Sequence, residues 1–194
     1  MKSIFITIAL VSMLWPTAAN AMPAKTPDKA PAKTPEQTIE KGQVLQLKEF
    51  SFTFPPGCAP YSHWTEESQT DSGKVPIEHY QTTNKKGESW EVSFVGFPHV
   101  FTSARTNLAA SRDGVTERFK AQLVSEKYFS VGKDSAVDLE LSFKENDKPR
   151  AARAWFIIRM PRFVHKVLFA SPDPKSLHSE ETEKAFESFK INSW

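Results

Sequence analysis

Two neighbouring segments, residues 150–160 and 162–171, constrain the fold of this chain more than any other feature of its sequence. Both have the length of strands and are rich in aromatic and β-branched residues. Their large apolar side chains stand at odd and at even positions, so a sheet built from them needs cover on both faces. These side chains are Trp155, Phe156, Ile157 and Ile158 in the first segment and Val167 and Leu168 in the second.

The short link between the two segments predicts an antiparallel hairpin. Pairing Met160 with Phe163, with the two residues between them as the turn, places Phe156 opposite Val167. In this arrangement large apolar side chains lie on both sides of the hairpin, so both of its faces must be covered.

The rest of the chain supplies further strands and two amphipathic helices. The first helix is predicted after a cap at Thr102 or Ser103, with a kink or break near Gly114, and the second after a cap at Ser176 or Ser179. Helices on both faces of an antiparallel sheet give an α/β/α sandwich of the α+β class. The other predicted strands are residues 50–54, 76–83, 90–97, 124–132 and 135–144.

The N-terminal part of the sequence has the pattern of an export signal and a spacer. Lys2 precedes an uncharged apolar stretch of about a dozen residues, too short to cross a bilayer, and Ala19-Asn20-Ala21 ends in the small residues that signal peptidase requires. We therefore expect a signal peptide at 1–21, a disordered leader rich in proline and lysine at 22–44, and a single domain at 45–194. The cleaved product would be periplasmic or extracellular.

Charge and cysteine content limit the kinds of partner. The formal net charge is +2, too small for bulk charge to recruit nucleic acid or a membrane. No later apolar run is long enough to span a bilayer. Cys58 is the only cysteine, so no intramolecular disulfide can form. Its thiol is either an inert buried group or a possible reactive thiol.

Several stretches of the chain together match the pattern of one known family. They are Phe-Ser-Phe-Thr-Phe-Pro-Pro-Gly at 50–57, Leu-Ala-Ala-Ser-Arg-Asp-Gly at 108–114, the paired segments at 153–157 and 165–168, and Phe-Glu-Ser-Phe-Lys at 186–190. Their order resembles the PsbP-like superfamily, which includes the PsbP subunit of photosystem II and many bacterial envelope proteins. The resemblance covers roughly residues 47–190, and it implies a fold but no activity. Asp134-Ser135-Ala136 departs from the Pro-Gly that bacterial members often carry there.

No motif of the sequence points to a catalytic or metal site. The chain has no Gly-x-Ser-x-Gly, no closely spaced glycines that could cradle a phosphate, and no two histidines three or four residues apart. We therefore predict no catalytic residue, no metal ligand and no cofactor. The histidines are His63, His79, His99, His165 and His178.

The most suggestive cluster is basic and falls on the predicted hairpin. Arg153, Arg159, Arg162 and Lys166 are candidate ligand-binding residues, because guanidinium groups bind phosphates and carboxylates through paired hydrogen bonds. In the alternative interpretation these long side chains lie over the surface of the sheet or a helix and pair with acids of the closing helix, such as Glu183 or Glu187.

The sequence leaves two functions open. The first is a non-catalytic module that binds an unknown protein or an envelope polymer. The second is an envelope hydrolase with a dispersed site that no motif reveals. The arrangement of the histidines separates them, because a hydrolase would bring several together with a carboxylate or with Cys58 in one cleft.

Overall fold

The computed structural model describes residues 42–70 and 73–192. The predicted signal peptide and nearly all of the predicted leader lie outside these residues, whereas the first strand begins at Gln43, two residues before the predicted start of the domain. Within the described ranges, no helix is long and apolar enough to cross a membrane.

The chain forms ten strands, two α-helices and one 3-10 helix in the described residues. In chain order these are β1 (Gln43–Gln46), β2 (Phe50–Phe54), β3 (Ser62–Thr70), β4 (Gly73–Thr83), β5 (Ser89–Gly96), α1 (Ala104–Phe119), β6 (Gln122–Val131), β7 (Asp134–Glu145), β8 (Lys148–Arg159), β9 (Phe163–Ser171), the 3-10 helix Pro174–His178, α2 (Glu180–Glu187) and β10 (Lys190–Ile191). Seven strands make an antiparallel sheet in the order β3-β4-β5-β9-β8-β7-β6. The other three make a small sheet in the order β1-β2-β10.

The predicted central hairpin is present as β8 and β9, but its predicted register is wrong by one residue. Arg159 pairs with Phe163, so Trp155 lies opposite Val167 and the turn has three residues instead of two. Two-residue hairpin turns need a positive φ at their first position, which the ring of Pro161 forbids. Adding one residue to the turn removes this conflict.

One face of the large sheet is covered by α1. The side chain of Ser103 caps the helix by accepting a hydrogen bond from the backbone N–H of Thr106, at 3.3 Å. Leu108 and Val115 are buried in one apolar cluster with β7, β8 and β9. The helix runs unbroken through Gly114, because burial of its apolar stripe offsets the cost of about 1 kcal/mol for a glycine.

The opposite face is covered by the small sheet together with the 3-10 helix and α2. Phe50, Phe52 and Phe54 of β2 all point inwards and are fully buried, as their alternation predicts. Phe186 of α2 is also fully buried, with its ring 4.9 Å from that of Trp155. Most of the structure is thus antiparallel sheet with two α-helices, and the cover on this face is partly a second sheet that the sequence analysis did not predict.

Candidate functional site

The turns at one end of the large sheet gather residues that are far apart in sequence. β8 ends at Arg159, β9 begins at Phe163 and β7 begins at Asp134, so the turns beside these residues share an end with the loop after β5. Alternating hairpins force this arrangement, because successive turns of antiparallel strands fall at opposite ends. We call this edge of the molecule the groove end, since two cavities open there.

The larger cavity, here called the Arg159 groove, lies between the β6–β7 turn and the end of the small sheet. Its volume is about 440 Å³. Its walls carry the side chains of Lys133, Asp134, Arg159 and Lys190, and the ring of Phe189. Lys133 and Lys190 are exposed, whereas Asp134 and Arg159 are buried. Among the described lining residues, three cations therefore face one carboxylate.

Arg159 is held rigidly by the C-terminal strand of the small sheet. Its Nη1 donates a hydrogen bond to the backbone carbonyl of Asn192 at 2.6 Å. Asn192 is itself anchored, because its side-chain amide donates to the carbonyl of Leu47 at 2.7 Å and its backbone N–H donates to the carbonyl of Glu49 at 3.0 Å. A guanidinium fixed in this way loses little entropy when it binds an anion.

The electrostatics of the groove favour a negative ligand. Burial raises the pKa of Asp134, although the positive charges of Arg159 and Lys133 oppose the effect. This carboxylate, the one among the described lining residues, thus carries its negative charge less readily than an exposed aspartate. A phosphate or carboxylate group matches this excess of positive charge and the donor geometry of Arg159.

The second cavity lies beside the β8–β9 turn and has a volume of about 320 Å³. Phe97 and Phe163 form its apolar walls, and Lys74 and Arg162 supply its charges. Gly96 allows this packing, because a Cβ at that position would stand only 3.0 Å from the ring of Phe163. Two exposed aliphatic side chains, Val100 and Met160, belong to the adjoining loop and turn.

The structure separates the four predicted ligand-binding cations. Arg159 and Arg162 lie at the groove end, but Arg153 lies in the middle of β8, facing the second layer. Arg153 donates to Asp138 at 2.8 Å and to Glu183 at 2.6 Å. Pairing with the closing helix, the alternative interpretation of this arginine, is therefore confirmed.

Lys166 lies on the α1 side of the sheet, buried in a polar cluster. Its Nζ is 2.6 Å from Oε1 of Glu91, which also lies 2.9 Å from Nδ1 of His79. Burial alone raises the pKa of Glu91, but the charge of Lys166 and the hydrogen bonds outweigh burial and lower that pKa to about 2. The charge of Lys166 thus neutralises an internal carboxylate and is closed to a ligand from solvent.

The properties of Cys58 agree with the interpretation of its thiol as an inert buried group. It is buried, and burial, with smaller contributions from Glu181 and Glu88, raises the pKa of its thiol to about 11. The thiolate is the nucleophilic form of cysteine, and it is scarce at neutral pH when the pKa is this high.

The histidines do not converge. His63 and His79 are on neighbouring positions of the β3–β4 pair but on opposite faces: His63 contacts Glu78 at the surface, and His79 contacts the buried Glu91. His178 binds Glu140 and Glu183 beside α2. In the part of the chain that the structure describes, no three metal-binding side chains form a group that could hold an ion.

His165 is an unusual buried group. It lies on β9, 1 % exposed, with its ring centroid 5.5 Å from that of Phe50, 5.1 Å from Phe94 and 5.7 Å from Phe189. Among the described residues, neither ring nitrogen has a hydrogen-bond partner. Burial, assisted by the charge of Arg159, lowers its pKa to about 3, so the imidazole is neutral at physiological pH.

Two cations of the Arg159 groove were not found from the sequence. Lys133 stands in a turn and Lys190 in a strand of only two residues, and neither has a neighbouring motif. They meet Arg159 only because the small sheet packs against the end of the large one. Only a correct prediction of that packing could have indicated them.

Comparisons with known proteins give little further information. No family model matches the sequence, and neither does any curated protein. LpqN of Mycobacterium tuberculosis, a protein involved in cell envelope biogenesis, is 13% identical, with a TM-score of 0.42 over 70% of this chain and 87% of that chain. PA94 from Pseudomonas aeruginosa, a protein of unknown function, is 14% identical, with a TM-score of 0.44 over 76% of this chain and 92% of that chain. Likenesses of this strength carry no argument about family or activity.

Proposed function

We propose that this chain is a non-catalytic exported module that binds an envelope component bearing a phosphate or carboxylate group, with the Arg159 groove as its binding site. The observation that carries the proposal is the juxtaposition of Arg159 with Lys133 and Lys190 in one cavity, where the described lining residues include one carboxylate, the buried Asp134. A volume of about 440 Å³ is in the range of cavities that bind small molecules or a headgroup.

Export and a PsbP-like relationship belong to the same proposal. The pattern at residues 1–21 supports export. The order of strands and helices supports the PsbP-like relationship: a Phe-rich strand near the start of the domain is followed by three strands, one long helix, four further strands and a short closing helix. Both are compatible with a module that acts by binding.

Nothing in the described residues favours the hydrolase. The buried, weakly acidic Cys58 and the dispersed histidines lack the hydrogen-bonded nucleophile and base that acyl transfer needs. The cations that face a cavity have no nucleophile beside them among the lining residues. Binding is therefore the function that this geometry supports best.

The experiment that tests the proposal is a calorimetric titration of the purified exported protein with glycerol phosphate. The informative variant is Lys133→Gln with Lys190→Gln, because both side chains are exposed and their loss spares the core. Removing two charged contacts, each worth about 1 kcal/mol or more, should weaken binding at least about tenfold.

The matched control is Lys86→Gln with Lys148→Gln, which removes the same charge from exposed positions at the opposite end of the sheet. The control should bind like the unmodified protein. Equal weakening in both double variants would show that bulk charge, and not the groove, attracts the anion, and that result would contradict the proposal.

A further inference from the structure

We infer that the groove end docks on the surface of an anionic lipid bilayer, with Val100 and Met160 entering the acyl boundary and the groove cations meeting headgroup phosphates. This inference rests on the proposed function, because it names the lipid headgroup as the source of the anionic group. It adds an apolar contact that the Arg159 groove does not itself contain.

The first argument is the position of the two aliphatic side chains. Val100 is 63 % exposed and Met160 is 45 % exposed. The loop and the turn that carry them are joined, since the backbone N–H of Phe101 donates to the carbonyl of Pro161 at 2.6 Å. They therefore form one apolar tip at this end of the sheet. Exposed aliphatic groups brought together in this way are typical of binding surfaces.

The second argument is the charge around that tip. The described residues that line the two cavities include five cations and one carboxylate. The carboxylate, Asp134, is buried, whereas Arg162 is exposed and lies in the same turn as Met160. Lys74 has a partner in Glu67, at 2.8 Å, so it contributes less than Arg162 does. The cavity cations are Lys74, Lys133, Arg159, Arg162 and Lys190.

The third argument is the fit of these two features to a bilayer. Peripheral proteins combine aliphatic side chains that enter the acyl boundary with cations that stay at the headgroup level. Here the apolar tip lies on turns at the extremity of the strands, and the cations lie in the cavities on either side of the β8–β9 turn. A bilayer surface satisfies both features at once, although the net charge of +2 is too small to attract the whole molecule.

The test is co-sedimentation of the exported protein with vesicles of phosphatidylcholine alone and with vesicles that also contain phosphatidylglycerol. We expect binding to the anionic vesicles that falls as salt is added. Val100→Ser with Met160→Ser should weaken it about tenfold, because the acyl contact is lost. Arg162→Gln should weaken it about fivefold.

Val124→Ser is the matched control, since Val124 on the edge strand β6 is 60 % exposed and lies away from the tip. The control should bind vesicles like the unmodified protein. Equal binding to both kinds of vesicle, or an equal loss in the control and in the tip variant, would overturn the inference. So would tip-dependent capture of an envelope protein without any vesicle binding, which would indicate a protein partner.

The glycerol phosphate titration separates failure of this inference from failure of the proposed function. Binding of glycerol phosphate that depends on Lys133 and Lys190, without vesicle binding, would overturn the bilayer contact and keep the groove as an anion site. Absence of both would overturn both proposals.

Discussion

Replacing His165 with leucine should make the protein more stable, and more so as the pH falls. The imidazole is 1 % exposed among three phenylalanine rings, and neither nitrogen has a partner among the described residues. An unsatisfied buried polar group costs about 1–3 kcal/mol, whereas leucine fits an apolar site of similar volume. We therefore expect His165→Leu to raise the free energy of unfolding by about 1–2 kcal/mol at pH 7.5.

The pH dependence follows from the pKa of the same group. In the folded protein the pKa of His165 is lowered from 6.5 to about 3, so below pH 6.5 the unfolded chain binds the proton that the folded protein rejects. The stability associated with the neutral ring is complete above pH 6.5 and is lost progressively towards pH 3. At 1.36 kcal/mol per pH unit, the loss reaches about 3 kcal/mol at pH 4.

The assay is urea denaturation followed by tryptophan fluorescence at pH 7.5 and at pH 4, on the unmodified protein and the leucine variant. Other acid-sensitive groups act in both proteins, so the difference between them isolates His165. The variant should gain about 3 kcal/mol relative to the unmodified protein between the two pH values. A difference that does not change with pH, or a variant less stable at both pH values, would refute the reasoning.

Lys166→Met should lower the free energy of unfolding by about 3–5 kcal/mol, because it leaves Glu91 buried without its cation. Adding Glu91→Gln should restore part of the lost stability, and equal losses in the single and double variants would contradict the role of the ion pair. At neutral pH, Cys58 should react with a thiol reagent at least about a hundredfold more slowly in the folded protein than in urea, because the pKa of its thiol in the folded protein is about 11. Rapid labelling of the folded protein would show that the thiol is reactive. Phe186→Ala should lower the free energy of unfolding, measured by urea denaturation, by about 3–5 kcal/mol, because removal of the fully buried ring leaves a cavity. A loss below about 1 kcal/mol would mean that α2 is not part of the core.

Local patterns could be predicted because their causes are local. The alternation of Phe50, Phe52 and Phe54 indicates a strand with one buried face, and the cap at Ser103 marks the start of a helix. The two-sided apolar pattern of β8 likewise indicates a strand that is covered on both faces. In each case the sequence pattern that predicts the helix or strand lies within that helix or strand, or directly beside it.

Features that depend on packing between distant segments were missed. β3 is a polar edge strand whose burial is too small to give a strong pattern, and the two residues of β10 are a strand only because β2 pairs with them. The predicted β8–β9 register is wrong by one residue, because the ring of Pro161 excludes the positive φ that a two-residue turn needs.

The same difference between local patterns and packing of distant segments applies to the candidate site. The place of Arg159 and Arg162 on one hairpin indicates candidate ligand-binding residues. Pattern alone does not show that the charge of Arg153 is paired with Glu183 of α2, or that of Lys166 with the buried Glu91. Pairing across layers depends on which face each residue occupies and on which acid the next layer brings there. The groove could be recognised only from the assembled structure.

The most direct test of the central claim is an NMR titration of the isotope-labelled protein with glycerol phosphate. The account predicts saturable amide shifts concentrated at Gly132, Lys133 and Asp134 and at Ile191 and Asn192, the backbone walls of the Arg159 groove. Shifts concentrated in the lysine-bearing turn at 84–87, at the opposite end of the sheet, or no saturable shifts at all, would contradict an anion site in this groove.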